Sequence, residues 1–227
     1  MKIFKIFIIL LLITSCSDKI NENKITEFDK ILGTENSKTL NSLVVEFEND
    51  FLKRQYPNLN IERAYLKFIT EISEGEIEKF VGFSQKSRSL FDKSTLRPEI
   101  YCVPDSIWVD KNPWNDLTLL VKIRTKCIKP DGTFESGISE MPFDKKEISR
   151  DFIEEKRKNF VVSNYNGKYI KALNSISDNS EFLKSFVKDR TNFGLIPSEL
   201  VAKRILAYNV DITDYYVKRI IVMELAY

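Results

Sequence analysis

The chain has 227 residues, of which 35 are lysine or arginine, 33 are aspartate or glutamate and none is histidine. The missing histidine excludes Ser-His-Asp and Cys-His nucleophilic mechanisms and most catalytic zinc sites. The nearly balanced charge gives no electrostatic argument for a nucleic-acid partner, which needs a clustered cationic surface.

The first fifteen residues have the three parts of a secretory signal: Lys2 and Lys5 at the start, an apolar run over residues 6–13, and small residues at the exit. The run is far shorter than the roughly 20 residues that a transmembrane helix needs. The alternatives are an uncleaved anchor and an apolar core element, and the run lacks the amphipathic pattern of a core element. Removing residues 1–15 lowers the Lys+Arg count from 35 to 33, which equals the acidic count.

The motif Ile13-Thr14-Ser15-Cys16 at the end of this signal resembles the lipobox of bacterial lipoproteins. The resemblance covers only the first 16 to 20 residues. It implies cleavage before Cys16 and attachment of a diacylglycerol, with fatty acids such as palmitate, to the cysteine sulfur. Because two or more acyl chains hold a protein firmly on a membrane, the anchor needs no basic patch beside it. By the same resemblance, Ser17 in place of an inner-membrane retention aspartate favours the outer membrane of the cell envelope.

The chain then divides into a signal peptide over 1–15, a lipidated tether over 16–38 and a single globular domain over 39–227. Within the tether, apolar residues at helical spacing predict a short helix that docks on the domain and ends at Gly33. These residues are Ile25, Phe28, Ile31 and Leu32.

Three amphipathic helices are predicted next. The first ends before Pro57, and Asn60 is placed as the N-cap of the second. Ser73-Glu74-Gly75-Glu76 fits a Ser-x-x-Glu capping box that would open the third. The stripe of the third helix consists of Ile77, Phe80, Val81 and Phe91.

Apolar and charged residues alternate from Leu117 to Cys127, which predicts a half-buried strand with a charged outer face. Pro130-Asp131-Gly132 predicts a turn, and residues 134–138 predict the return strand. We therefore expect an α+β fold that is predominantly α-helical, with helices flanking a small antiparallel sheet or hairpin near residues 100–140.

Helices return after Pro142. The highly charged stretch 145–162 predicts a solvated surface helix. The segment after Asp211 is apolar nearly all round, which predicts a buried helix. Shorter helices are predicted near 167–177, 180–190 and 197–208.

Cys102 and Cys127 are the cysteines left after Cys16 is assigned to lipid. An even number in an oxidising compartment favours a disulfide between them. Two buried free thiols are the alternative, because unpaired cysteines are common in protein cores.

Residues 104–116 differ from their surroundings, because they hold both tryptophans of the chain among prolines, acids and amides. One interpretation is a contact loop in which Trp108 and Trp114 stack on a sugar or peptide while Asp110 and Asp116 orient polar groups. The alternative is an ordinary strand-loop-strand connection whose tryptophans cover the core.

No catalytic residue, metal ligand or cofactor site is identified in the sequence, since no pair of glycines has phosphate-loop spacing and no EF-hand-like acidic run occurs. We expect a non-enzymatic binding, assembly or protective lipoprotein. Its partners would be the membrane, through the lipid anchor, and an envelope protein or glycan. The alternatives are a tethered inhibitor or immunity-type protein and a carboxylate-dependent hydrolase, which would need two carboxylates roughly 5–10 Å apart.

Overall fold

The structure, a computed structural model, describes residues 22–76 and 84–226. It has the predicted α+β class: helices predominate and flank a small antiparallel sheet. The strands are β1 (Tyr101–Lys111), β2 (Thr118–Ile128), β3 (Phe134–Asp144) and β4 (Val162–Ser163). The helices are α1 (22–32), α2 (Thr34–Glu46), α3 (Lys53–Gln55), α4 (Ile61–Glu74), α5 (Gln85–Lys93), α6 (Leu96–Ile100), α7 (Arg150–Asn159), α8 (Lys168–Ser175), α9 (Glu181–Phe193), α10 (Ser198–Ala207) and α11 (Tyr215–Ile220). Wider π-helical turns lie at Phe47–Leu52 and Ile221–Ala226, and a 3₁₀ turn lies at Ser177–Asn179.

The start of the described chain belongs to the folded body. Phe28 and Leu32 of α1 are fully buried, as expected for a helix that docks on the domain. Gly33 follows with a φ of 91°, a conformation that favours glycine, and α2 begins at once. Residues 22–32 and the start of α2 are therefore helical and pack on the body, as the predicted docking helix within residues 16–38 implies.

Two predictions concern the ends of α4: the N-cap at Asn60 is confirmed, and the capping box at Ser73 is wrong. The Asn60 side chain accepts a hydrogen bond from the Arg63 amide at 2.9 Å, as expected for an N-cap. Ser73, in contrast, opens no new helix: it lies inside α4, and its hydroxyl donates to the Thr70 carbonyl. Gly75, with a φ of 74°, ends the helix in the left-handed conformation. Most of the predicted third stripe, over residues 77–83, lies outside the described residues.

The helical body, defined as α1–α6 and α8–α11, encloses one large apolar core. It is filled by fully buried aromatic residues from four of these helices and from the first π-helical turn. The terminal segment after Asp211 also packs into it, so this segment is buried as predicted. Such close packing makes the core sensitive to any change of volume. Its largest apolar side chains are Tyr65, Tyr169, Phe28, Phe47 and Phe186.

The sheet has the strand order β3-β2-β1-β4, and all of its pairs are antiparallel. We call the first three strands, Tyr101–Asp144, the β-meander. Each has 11 residues, which corresponds to a length of roughly 35 Å. β2 carries the predicted alternation, and β3 continues six residues beyond the predicted return strand. Pro142 therefore lies in β3, where an edge strand tolerates the missing N–H, and α7 is opened by Ser149 instead.

One face of the meander is covered by α7. Val121 and Ile123 of β2 are fully buried, and the rings of Phe143 and Phe152 meet edge to face at 4.8 Å. α7 has no buried residue, which agrees with the predicted solvated helix. Among the described residues of the meander, Tyr101 alone belongs to the core of the helical body. The base of the meander thus joins the body, and its far end extends away from it.

Candidate contact surface on the β-meander

The segment 104–116, interpreted from the sequence as one loop, is a strand followed by a tight turn. Pro104 to Lys111 belong to β1, and only residues 112–117, the hairpin tip, connect β1 to β2. The register of β1 against β2 shifts between Pro104 and Ser106, so Asp105 sits in a β-bulge. A bulge interrupts the regular hydrogen bonding between two strands, so it accommodates proline, which has no N–H to donate. The segment is therefore not one loop, and its backbone has the strand-loop-strand course of the alternative interpretation.

The hairpin tip is held by side chains of its own two asparagines. Asn112 Oδ1 accepts from the Trp114 amide at 3.0 Å, and Asn115 Oδ1 accepts from the Leu117 amide at 2.9 Å. Asn112 Nδ2 also donates to the hydroxyl of Thr118 at 2.8 Å. Asparagine favours such turns because its short side chain mimics a backbone carbonyl. The tip is consequently ordered before any partner binds.

Two large apolar side chains project from this ordered tip. Trp114 is 82% exposed and Leu117 is 76% exposed. The interpretation that the tryptophan covers the core is therefore excluded for Trp114. Burial of these side chains against a partner would gain roughly 25 cal/mol of hydrophobic free energy for each Å² of apolar surface removed from water. Asp116 lies exposed beside them.

Trp108 and Asp110 belong to a different surface. Both project from the face of β1 opposite to α7, and Trp108 Nε1 donates to Asp110 Oδ2 at 3.3 Å. Trp108 pairs with Lys122 of β2 and is only partly exposed. Four residues of extended strand, roughly 13 Å, separate it from the start of the tip. The four predicted contact residues thus divide into a tip pair, Trp114 with Asp116, and a face pair, Trp108 with Asp110.

The face opposite to α7 is covered by paired charges. Lys122 Nζ lies 3.1 Å from carboxylate oxygens of both Asp110 and Glu140, and Lys126 Nζ lies 2.7 Å from Asp105. The hydrogen bond from Lys126 lowers the pKa of the Asp105 carboxyl, and bonds to Glu140 and then Asp110 raise the pKa of Lys122. This is the charged outer face that the alternation in β2 predicted.

Cys102 and Cys127 are joined by a disulfide at the base of the meander. Their Cα atoms lie 4.3 Å apart, and 25 positions separate them in sequence. The bond links β1 to β2 where both strands leave the helical body. Val103 pairs with Lys126 in the antiparallel register, which places Cys102 opposite Cys127 on the neighbouring strand.

A shallow cleft of about 490 Å³ lies on the helical body, between α2 and the segment that leads into α11. Its lining residues are Val44, Glu48, Asp211, Thr213, Asp214, Tyr215, Lys218 and Arg219.

The carboxylates of this cleft are already engaged in holding the fold. Glu48 accepts from Lys218 at 2.8 Å, Asp214 caps α11, and Asp211 accepts from the Thr213 hydroxyl and amide. The bonds from Thr213 lower the pKa of Asp211, whereas a general acid needs a raised one. The cleft therefore gives no support to the hydrolase alternative.

The helical body also contains a buried ion pair that the sequence did not indicate. Arg190 of α9 is fully buried, and its Nε lies 3.4 Å from Glu224 Oε1 in the terminal π-helical turn. Within the described part of the chain, Arg190 Nη1 and Nη2 have no hydrogen-bond partner. The sequence separation of the pair gives no local signal, so only the packing of the folded chain reveals it.

Leu117 is an exposed residue of the tip that the alternation pattern misplaced. The alternation placed it on the half-buried face of β2, but β2 begins at Thr118. The available signal was the preceding Asn115-Asp116, which is typical of a turn rather than a strand.

Comparisons with known protein families, with characterised proteins and with solved structures each found no match. In the described ranges 22–76 and 84–226, no helix is long and apolar enough to cross a membrane. Over the same ranges, no group of three or more cysteine or acidic residues is arranged to hold a metal ion. What the fold and the surface define is an α+β protein with a closed helical body and a projecting β-meander that has an apolar tip.

Proposed function

We propose that the protein is a lipid-anchored, non-enzymatic binding module of the cell envelope, favouring the outer membrane, which contacts its partner through the hairpin tip. The observation that carries this proposal is the exposure of Trp114 and Leu117 on a turn that hydrogen bonds hold in place. Tryptophan is enriched among the residues that dominate binding energies, and a preordered turn lowers the entropic cost of association.

The sites of the lipid anchor and of the proposed contact lie far apart in the sequence. The lipobox-like motif supports attachment at Cys16, which lies outside the described residues. The tip begins at Asn112, at the end of the meander that is distant from the helical body. A module built in this way holds its partner beside a membrane without any chemistry of its own. The partner we propose is an envelope protein, because a protein surface offers apolar pockets that a tryptophan and a leucine fill together.

Site-specific photo-crosslinking in intact cells tests the contact. A photoreactive phenylalanine analogue placed at position 114 is expected to give a discrete crosslinked protein adduct. The matched control is position 193, because Phe193 is 75% exposed but lies on α9 of the helical body. Equal adducts at both positions, or an adduct at 193 alone, would contradict the proposal. Loss of the position-114 signal after glycan digestion would identify a glycan as the partner instead.

The anchor is tested separately by Cys16→Ser. Because the lipid is attached through the cysteine sulfur, this variant is expected to remain unprocessed or to leave the membrane fraction. Detergent phase partitioning and the mass of the mature chain measure both outcomes. Cys102→Ser/Cys127→Ser is the matched control, since it replaces the two disulfide cysteines without touching the motif. A Cys16→Ser variant that matures and partitions like the wild type would show that the lipobox assignment is wrong.

A further inference from the structure

The outer edge of β3 is the longest open backbone edge of the sheet. β3 is the terminal strand in the order β3-β2-β1-β4, and no strand within the described residues pairs with its outer side. An open strand edge presents N–H and C=O groups that are ready to pair with another extended chain. Pro142 has no N–H to offer, so the usable edge is the eight-residue stretch 134–141.

The β3 edge strand carries exposed apolar side chains, whereas natural edge strands usually have features that prevent pairing with another chain. Phe134 is 61% exposed and Ile138 is 58% exposed. The two residues are four positions apart in one strand, so both project from the same face of the sheet. Monomeric proteins normally blunt such edges with charges, bulges or short strands. The ladder of β3 with β2 shows no bulge over its eleven pairs.

Charges alternate from strand to strand across the meander, and this alternation indicates what would lie next to β3. The outer face of β2 is basic, and the strands on either side of it supply the acids that pair with it. Within 134–141, β3 contains Glu135 and Glu140 and no basic residue. Glu140 already pairs with Lys122, and Glu135 lies 3.8 Å from Lys129 and accepts from Asn166 at 3.2 Å. A carboxylate of this sheet can nevertheless serve two cations, as Asp105 does with Arg124 and Lys126. Opposite charges on neighbouring strands are stabilising, and like charges are destabilising. A second copy of β3 would bring an acidic strand to an acidic edge, so the fitting neighbour is a basic strand.

We propose that the β3 edge binds, by β-strand addition, an extended segment of a partner protein that has apolar residues flanked by lysine or arginine. The apolar residues would cover Phe134 and Ile138, and the basic ones would lie beside Glu135 and Glu140. In strand addition the backbone bonds supply affinity and the alternate side chains supply specificity. This inference rests on the proposed function, in which the meander is the contact element, and it states the chemistry of the segment that is bound.

Two labelled eight-residue peptides test the inference on the detergent-solubilised full chain. Both have valine at the positions that face Phe134 and Ile138 and threonine at the remaining positions; one has lysine at the positions that face Glu135 and Glu140, and the other has glutamate there. Fluorescence anisotropy is expected to show at least tenfold tighter binding of the lysine peptide, and less at high salt. Glu135→Lys/Glu140→Lys should reverse the preference. Glu27→Lys, which changes an exposed acid of α1, is the matched control and should leave it unchanged.

The outcomes separate this inference from the proposed function. Equal affinity for both peptides, no binding of either, or an unchanged preference in the folded double variant overturns the edge inference. Glu140→Gln keeps the shape of the side chain and should weaken binding of the lysine peptide by a smaller factor. This milder variant tests the inference even if the double variant misfolds. If sedimentation shows a dimer that the lysine peptide does not dissociate, a second copy occupies the edge instead. If crosslinking at position 114 fails while the peptides still discriminate, the tip assignment fails and the edge remains.

Discussion

The helical body differs from the tip and the outer strand of the β-meander in how it uses its apolar side chains. In the body, aromatic residues such as Phe47 and Tyr169 are completely enclosed, and even an ion pair is taken into the core. In the meander, Trp114, Phe134 and Ile138 are mostly exposed, while the charges lie in pairs on the outer face. Exposed apolar groups of this kind mark interaction sites more often than they stabilise a monomer.

Under the proposed function, this difference places stability and recognition in separate regions. The body buries the surface that stabilises the fold, and the meander keeps a covalent bond at its base while leaving its tip and its outer edge open. Substitutions in the body should therefore change the free energy of unfolding, whereas substitutions at the tip should change binding alone.

The largest effect is expected from breaking the buried ion pair of the body. Glu224→Gln keeps the shape of the side chain but leaves the Arg190 charge without a counter-charge, at a cost of about 3–5 kcal/mol in the free energy of unfolding. Replacing both residues by methionine removes both buried charges and should bring stability back to within about 1 kcal/mol of the wild type or above it. Urea denaturation measures all three proteins.

A matched change in the meander sharpens this comparison. Lys122→Met removes a partly exposed charge with two carboxylate partners, and an exposed pair contributes only about 1 kcal/mol or less. If Glu224→Gln and Lys122→Met destabilise the protein equally, the contrast between the two regions is wrong.

The second largest effect is expected from removing the disulfide at the base of the meander. Cys102→Ala/Cys127→Ala releases a loop of about 25 residues, which should cost about 3 kcal/mol by the chain-entropy account. The loss should appear first in the meander, because strands that are tied less firmly open locally before the whole protein unfolds. Hydrogen exchange resolved by segment measures this: amides of β1 and β2 should exchange faster, and those of α4 and α9 should not. Equal acceleration in all four elements would show that the meander has no separate stability.

Local rules in the sequence predicted the elements wherever one residue decides the geometry. Asn60 was found because an N-cap needs only a short polar side chain three residues before a free amide. The Ser73 capping box failed because Gly75, two residues later, ends the preceding helix in a conformation that excludes a new helix start at Ser73. Helices do return after Pro142, but the return strand was predicted too short, because its length is decided by pairing with β2 and not by a local pattern.

The candidate surface was predictable in part. The composition of residues 104–116 singled out the stretch that holds the exposed Trp114, but no local pattern decides whether its tryptophans face the core or the solvent. That choice depends on where β1 ends, which the pairing of Lys111 with Leu119 sets. The buried Arg190–Glu224 contact and the open β3 edge depend on packing and strand order, so no local pattern reveals them.

The most direct test of the central assignment is a pair of measurements on Trp114→Ala/Leu117→Ala. Both side chains are exposed, so the melting temperature should stay within about 1–2 °C of the wild type, as is usual for surface substitutions. Capture of the envelope protein that crosslinks at position 114 should fall by at least tenfold, since anchors of this kind carry about 2 kcal/mol or more each. Phe193→Ala, an exposed aromatic on the body, should change neither quantity. A drop of many degrees in melting temperature, or capture equal to that of the wild type, would contradict the proposal that the hairpin tip is the contact surface.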